Sequence, residues 1–145
     1  MKGQVVIKRY DAEKRGSSRY KLHQSELKRV NLRNADLNWA YLREADLSKA
    51  NLVGVRLHGA DLVGANLRNA DLRWAYLREA DLKQANLTGA NLMGCDLSDV
   101  DLSGANLNKA DLQGANLYRA KVTKSQLARA KSLKGTILPG GARHE

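Results

Sequence analysis

Leucine recurs at every fifth position from Leu22 to Leu117 without a miss, twenty times in succession. Val122, Leu127, Ser132 and Ile137 extend the same register. Two residues before each of these centres stands a small residue, usually alanine. One residue before it stands Asp or Asn in most repeats, as at Asn31, Asp36, Asp46, Asn51 and Asp61. The unit reads Ala, Asp/Asn, Leu, x, x, and it fits 24 times without insertion from Tyr20 to Pro139. The expected core is the leucine series Leu32, Leu37, Leu42, Leu47, Leu52, Leu57, Leu62, Leu67, Leu72, Leu77, Leu82, Leu87, Leu92, Leu97, Leu102, Leu107, Leu112 and Leu117.

A period of five fits neither regular element. Five residues of α-helix advance about 500°, a net of about 140°, which smears the leucines around the axis. A flat strand alternates faces at each residue, so an odd period sends successive leucines to opposite sides. The pattern is buried if the chain bends once per repeat. Ala and Leu, two apart, then point the same way on a short extended piece, and the remaining residues turn the corner.

Repeats such as Ala-Asp-Leu-Ser-Lys at 45–49, Ala-Asn-Leu-Thr-Gly at 85–89 and Ala-Asp-Leu-Gln-Gly at 110–114 resemble the defining unit of the pentapeptide-repeat family. The resemblance covers more than four-fifths of the chain. It implies an all-β fold: a right-handed quadrilateral parallel β-helix of about six 20-residue coils, stacked at about 4.8 Å over roughly 29 Å. Residues 7–15 resemble the short N-terminal helix that covers the first coil in many cyanobacterial members. Val5 to Ile7 nevertheless have strand propensity, and Ser17 stands where an apolar centre is expected. Residues 133–141 resemble a typical terminus of the repeat tract, where Pro139 suits an edge because it has no N–H to donate. The implied organisation is a cap over 1–19, the β-helix over 20–139 and a tail over 140–145.

Asp or Asn before each leucine suits a corner, since its side chain accepts local backbone N–H groups. That reading removes most of the carboxylates from candidacy for catalysis. The three histidines, His23, His58 and His144, show no metal-ligand spacing. Cys95 is the only cysteine, which excludes an internal disulfide, and it falls on a small inward position. No phosphate-binding loop or nucleophile triad is legible, and a solid Leu/Ala interior leaves no concave site. The expectation is no enzyme, no cofactor and no metal. No apolar stretch reaches the roughly 18 residues of a membrane span, and residues 1–20 do not read as a signal peptide, so a cytoplasmic protein is expected.

The formal net charge is +10. The two positions after each centre are free of core demands and hold fourteen basic residues against three acids, Glu44, Glu79 and Asp99. Positions 20 apart share a face, and one face collects Lys28, Arg29, Lys49, Arg68, Lys109 and Arg129 with no projecting acid. This face reads either as a polyanion site, for nucleic acid or an anionic membrane surface, or as a solubilising surface. Trp39 and Trp74 also project after a centre. They read either as interface anchors or as side chains packed over a neighbouring coil. Residues 34–54 and 69–89 are near copies at an offset of 35, so the two tryptophans fall on different faces.

Members of the family that resemble duplex DNA and bind type II topoisomerases need an acidic surface, so the positive charge disfavours that role. The expected function is a scaffold for another protein, with polyanion binding as the alternative. End-to-end association of two copies is compatible with the sequence.

Overall fold

The computed structural model describes residues 21–145; the cap expected over 1–19 lies outside the described residues. Single-residue parallel bridges connect positions 20 apart, as in Lys21↔Tyr41, Tyr41↔Asp61, Asp61↔Asp81 and Asp81↔Asp101. Each inner repeat of the described residues touches the coil on either side. Leu22 N–H donates to Tyr41 O (2.7 Å), and Asp46 N–H donates to Ser25 O (2.9 Å). A 20-residue offset with a bend every five residues gives four sides. Face 1 runs down Leu22, Leu42, Leu62, Leu82 and Leu102, and face 2 down Leu27, Leu47, Leu67, Leu87, Leu107 and Leu127. Face 3 follows Leu32 to Leu112, and face 4 follows Leu37 to Leu117.

Each corner is closed from inside the repeat. The N–H three residues past a centre donates to that centre's carbonyl, as from Ser25 to Leu22 (3.1 Å) and from Ala65 to Leu62 (3.0 Å). The second residue past the centre has positive φ, for instance Trp39 at 63° and Gly59 at 65°. This is the signature of a type II turn. Thirteen described non-glycine residues adopt this conformation, each at a cost of roughly 1–2 kcal/mol, so the ladder and core must offset it at every such corner.

The Asp or Asn before the centre supplies the other fastening. Its Oδ1 accepts the N–H two residues on, from Ser48 to Asp46 (3.0 Å) and from Arg68 to Asn66 (3.1 Å). Where Arg56 takes this position and has no acceptor, Asn38 of the preceding coil receives the His58 N–H instead (2.9 Å). Inside, the leucines from Leu37 to Leu117 are almost wholly buried and the alanines between them fill the remaining space. Burying each leucine contributes roughly 2 kcal/mol before conformational entropy is counted.

The uninterrupted register does not survive to Pro139. A short helix, α1 (Lys124–Ala128), replaces the corner after Val122. Thr123 caps it in a reciprocal capping box with Gln126. Gln126 Nε2 also donates to Leu102 O (2.7 Å) and Ala105 O (3.0 Å), tying α1 to the coil before it. The helical turn consumes one extra residue, so the following bridges, Asp111↔Ser132 and Asn116↔Ile137, are 21 apart. Ser132 and Ile137 are therefore ladder residues, while Leu133 and Leu138 pack against the core. Thr136 occupies the small inward slot and donates its hydroxyl to Leu112 O (2.6 Å).

The last residues fold back on the ladder. An antiparallel bridge joins Ile137 to Arg143. Gly135 N–H donates to His144 O, His144 N–H to Thr136 O and Leu138 N–H to Ala142 O, each at 2.7 Å. This hairpin satisfies groups that an open sheet edge would expose. Pro139 O accepts from Arg119 N–H (2.9 Å), so the proline joins the ladder through its carbonyl alone.

Candidate interaction faces

The interior of the described residues is filled by leucine and alanine side chains. Among the described residues no group of His, Cys, Asp and Glu has a metal-binding arrangement, and no helix is long and apolar enough to cross a membrane. Cys95 is fully buried, its thiol bonded to the Leu72 carbonyl, and burial pushes its pKa far up. It packs where other coils carry alanine.

Face 2 gathers the predicted cations. Lys28, Arg29, Lys49, Arg68, Lys109 and Arg129 are all exposed. The ion pairs of the described residues lie on the other three faces. Arg43 meets Asp61 on face 1 (3.2 Å), Arg73 meets Asp71 on face 3 (2.7 Å), and Arg119 meets Asp99 on face 4 (3.1 Å). Asp46 of face 2 is held below the usual carboxylate range mainly by the Ser48 hydroxyl, with Lys28 a minor influence.

Face 4 has a different character. Trp74 stands at the corner entering it and Trp39 at the corner leaving it, so the two tryptophans, assigned to separate faces by their repeats, flank the same one. Trp39 is 39% exposed and Trp74 59%, and Tyr76 (55%) and Tyr118 (48%) lie on the face itself. Each tryptophan covers the glycine one coil on: a Cβ at Gly59 would overlap the Trp39 ring, and one at Gly94 the Trp74 ring. Trp39 also meets His58 edge-on, with ring centroids 4.9 Å apart. One side of each ring therefore packs over the neighbouring coil, as one of the two readings expects, and the other side faces solvent. The sequence shows these tyrosines among its few aromatics without marking them as interface candidates: Tyr76, like Tyr41, stands in place of a turn Asp/Asn, and Tyr118 sits at an ordinary projecting position. A shallow groove on this face is lined by Asn38, Arg56, His58, Tyr76, Arg78 and Asp96.

Pentapeptide repeats match this sequence over residues 25–62, 56–94 and 95–131. The chain belongs to the pentapeptide-repeat family. Its architecture is the right-handed quadrilateral β-helix of that family, whose members are generally non-enzymatic scaffolds. A pentapeptide repeat protein of the Arabidopsis thaliana thylakoid lumen is 29% identical, with a TM-score of 0.61 over 88% of this chain and 87% of that one. HetL, a pentapeptide repeat protein involved in heterocyst differentiation regulation from Nostoc sp. strain PCC 7120, is 35% identical over 86% of this chain and 70% of HetL, with a TM-score of 0.46. A trypsin-treated variant of QnrB1, a plasmid-mediated fluoroquinolone resistance protein, shares the fold at 17% identity and a TM-score of 0.61, over 86% and 73% of the two chains. Comparison with curated protein sequences gives no match.

Proposed function

We propose that this pentapeptide-repeat protein is a non-enzymatic scaffold that docks a protein partner through face 4. The observation that carries this reading is the gathering of Trp39, Trp74, Tyr76 and Tyr118, all substantially exposed, on and around one flat side. Large aromatics supply much contact area at small entropic cost and dominate interface energetics. Cations and carboxylates lie among them: Arg56 beside Asp36 (3.4 Å) and Arg78 beside Asp99 (3.5 Å). An apolar centre with a mixed-charge surround suits a protein surface. A stack of about six coils gives that side a length of roughly 29 Å. The C-terminal hairpin covers ladder groups at residues 135–138, which favours contact through a side over stacking of a second copy on that end.

A photo-crosslinking side chain at position 76 tests the reading. Proteins captured from a lysate of the source organism by the wild-type chain are compared with those captured by Trp39→Asn/Trp74→Asn. Asparagine tolerates the positive φ at both positions. A specific partner whose affinity falls at least about tenfold in the double variant, and is unchanged when face 2 is neutralised, supports the docking face. Equal capture by the double variant sinks it.

A further inference from the structure

We propose that face 2 is a separate binding surface for the sugar-phosphate backbone of duplex nucleic acid. Its cations have no acid within ion-pair distance among the described residues, whereas most projecting cations of the other faces are matched to carboxylates. The cause lies in the turn position. On face 2 that position holds Glu26 and Asp46 in the first two coils but Asn66, Asn86 and Asn106 in the next three, where face 1 holds Asp61, Asp81 and Asp101. The asparagines fasten the corner equally well, accepting from Arg68 (3.1 Å), Thr88 (3.0 Å) and Asn108 (2.9 Å). They do it without negative charge. The fold is served by either residue, so from the third coil onward the neutral choice adds no negative charge beside the cations of this side, and the two acids of the first coils, Glu26 and Asp46, lie beyond ion-pair distance of them.

The field strengthens toward the C-terminal end. Between Leu112 and His144 the chain has no acid. Lys124, Arg129, Lys131 and Lys134 surround the last turn of the ladder, all exposed. The result is a band of cations in two adjacent columns of face 2, Lys28 and Arg68 in one and Arg29, Lys49 and Lys109 in the other, interrupted at Thr88 and Gly89 and joined at the C-terminal end by Arg129, with coils about 4.8 Å apart along a rigid axis.

The composition of the face selects among polyanions. No Trp or Tyr projects from it, and single strands are held by stacking their bases on aromatic side chains. Its projecting positions carry no large apolar residue, which leaves nothing to bury in a lipid interface. A flat, rigid, aromatic-free row of lysine and arginine suits the phosphates of a stiff duplex, and contacts to phosphate carry no sequence information. Binding is therefore sequence-independent and steeply dependent on salt.

The test is fluorescence anisotropy of the full chain with a mixed-sequence duplex, the corresponding single strand and, by co-sedimentation, vesicles containing phosphatidylserine, each over a salt series. Two variants lose the same number of charges. Lys49→Asn/Arg68→Gln/Lys109→Asn/Arg129→Gln strips face 2, with Asn placed where φ is positive. Arg43→Gln/Arg56→Gln/Arg73→Gln/Arg78→Gln strips the other faces. Thermal unfolding confirms that both remain folded. The expected result is duplex binding at about 0.05 M salt, at least tenfold weaker in the face 2 variant, with the log–log salt slope reduced by roughly 3 to 4. The second variant stays within about threefold of wild type by the same phosphate-contact logic. Equal losses in the two variants would overturn the proposal, as would single strands or vesicles bound as tightly as duplex, or no duplex binding at all.

Discussion

Trp39 lies across Gly59, the residue one coil on at the same corner, and a Cβ on that glycine would occupy the space of the indole ring. Gly59 has φ of 65°, so alanine there is doubly disfavoured. Gly59→Ala is expected to destabilise by about 1–2 kcal/mol from backbone strain and to lift the Trp39 ring into water. Gly114, with φ of 69° and nothing near its would-be Cβ, isolates the backbone cost. Chemical denaturation of both variants, with tryptophan emission, separates the two effects: a red shift is expected for Gly59→Ala and none for Gly114→Ala.

The one-residue register shift at α1 has a direct test. Leu133 packs against the core, whereas Ser132 is a ladder residue bridged to Asp111. Leu133→Ala is expected to cost roughly 2 kcal/mol, at the low end for a leucine truncation because the residue is only partly buried. Ser132→Ala removes the exposed acceptor of the Lys134 N–H (3.2 Å) and should cost less, about 0.5–1 kcal/mol. The reverse order in denaturant midpoints would restore the unbroken five-residue register through this segment.

Three corner carboxylates make stability depend on acid. Asp46, Asp71 and Asp101 are held below the usual range, chiefly by hydrogen bonds from Ser48, Arg73 and Ser103 respectively. Because folding lowers these pKa values, their contribution is present above the unfolded value of about 3.9 and is lost as pH falls through the folded ones. Melting temperature should therefore drop below about pH 4. Replacing all three by Asn, which keeps the acceptor and removes the titration, should flatten that drop. An unchanged acid limb in the triple variant would contradict the assignment.

Cys95 is buried with its pKa raised by desolvation, so the reactive thiolate is suppressed at neutral pH. A maleimide reagent should label it only as the chain unfolds, at a rate that tracks denaturant. Cys95→Ala should change stability by less than about 1 kcal/mol, since alanine fills the same slot in neighbouring coils. Rapid labelling of the native protein would mean that this part of the core opens.

Much of this was legible from spacing alone. The buried leucines and alanines follow from the period of five, and Asp or Asn before each leucine correctly signals a corner that needs an acceptor. The shift at Thr123 was also written in the chain, as a Thr and a Gln three residues apart, but Leu127 kept the apparent period and hid it. Reading the tryptophans required two distances at once: their own corner, and the glycine 20 residues later that gives each ring a floor. Neither repeat contains both partners, so no single repeat reveals the contact. The ion-pair pattern was hidden differently, because counting projecting charges does not say which of them a turn carboxylate already neutralises. Residues 1–19, where a cap was expected, lie outside the described chain.

The pairing of a ring with a distant glycine also bears on how such a chain can change. The near copies 34–54 and 69–89 are offset by seven repeats, which is one coil and three corners. Copying the segment therefore turned it by a quarter revolution as well as moving it along the axis. Asn34 over Gly54 and Trp39 over Gly59 reappear intact as Asn69 over Gly89 and Trp74 over Gly94. The contact belongs to the corner and is indifferent to compass direction. A gene that gains repeats in a multiple of five residues that is not a multiple of twenty can thus rotate a ready-made surface feature to a new bearing without redesigning the packing beneath it.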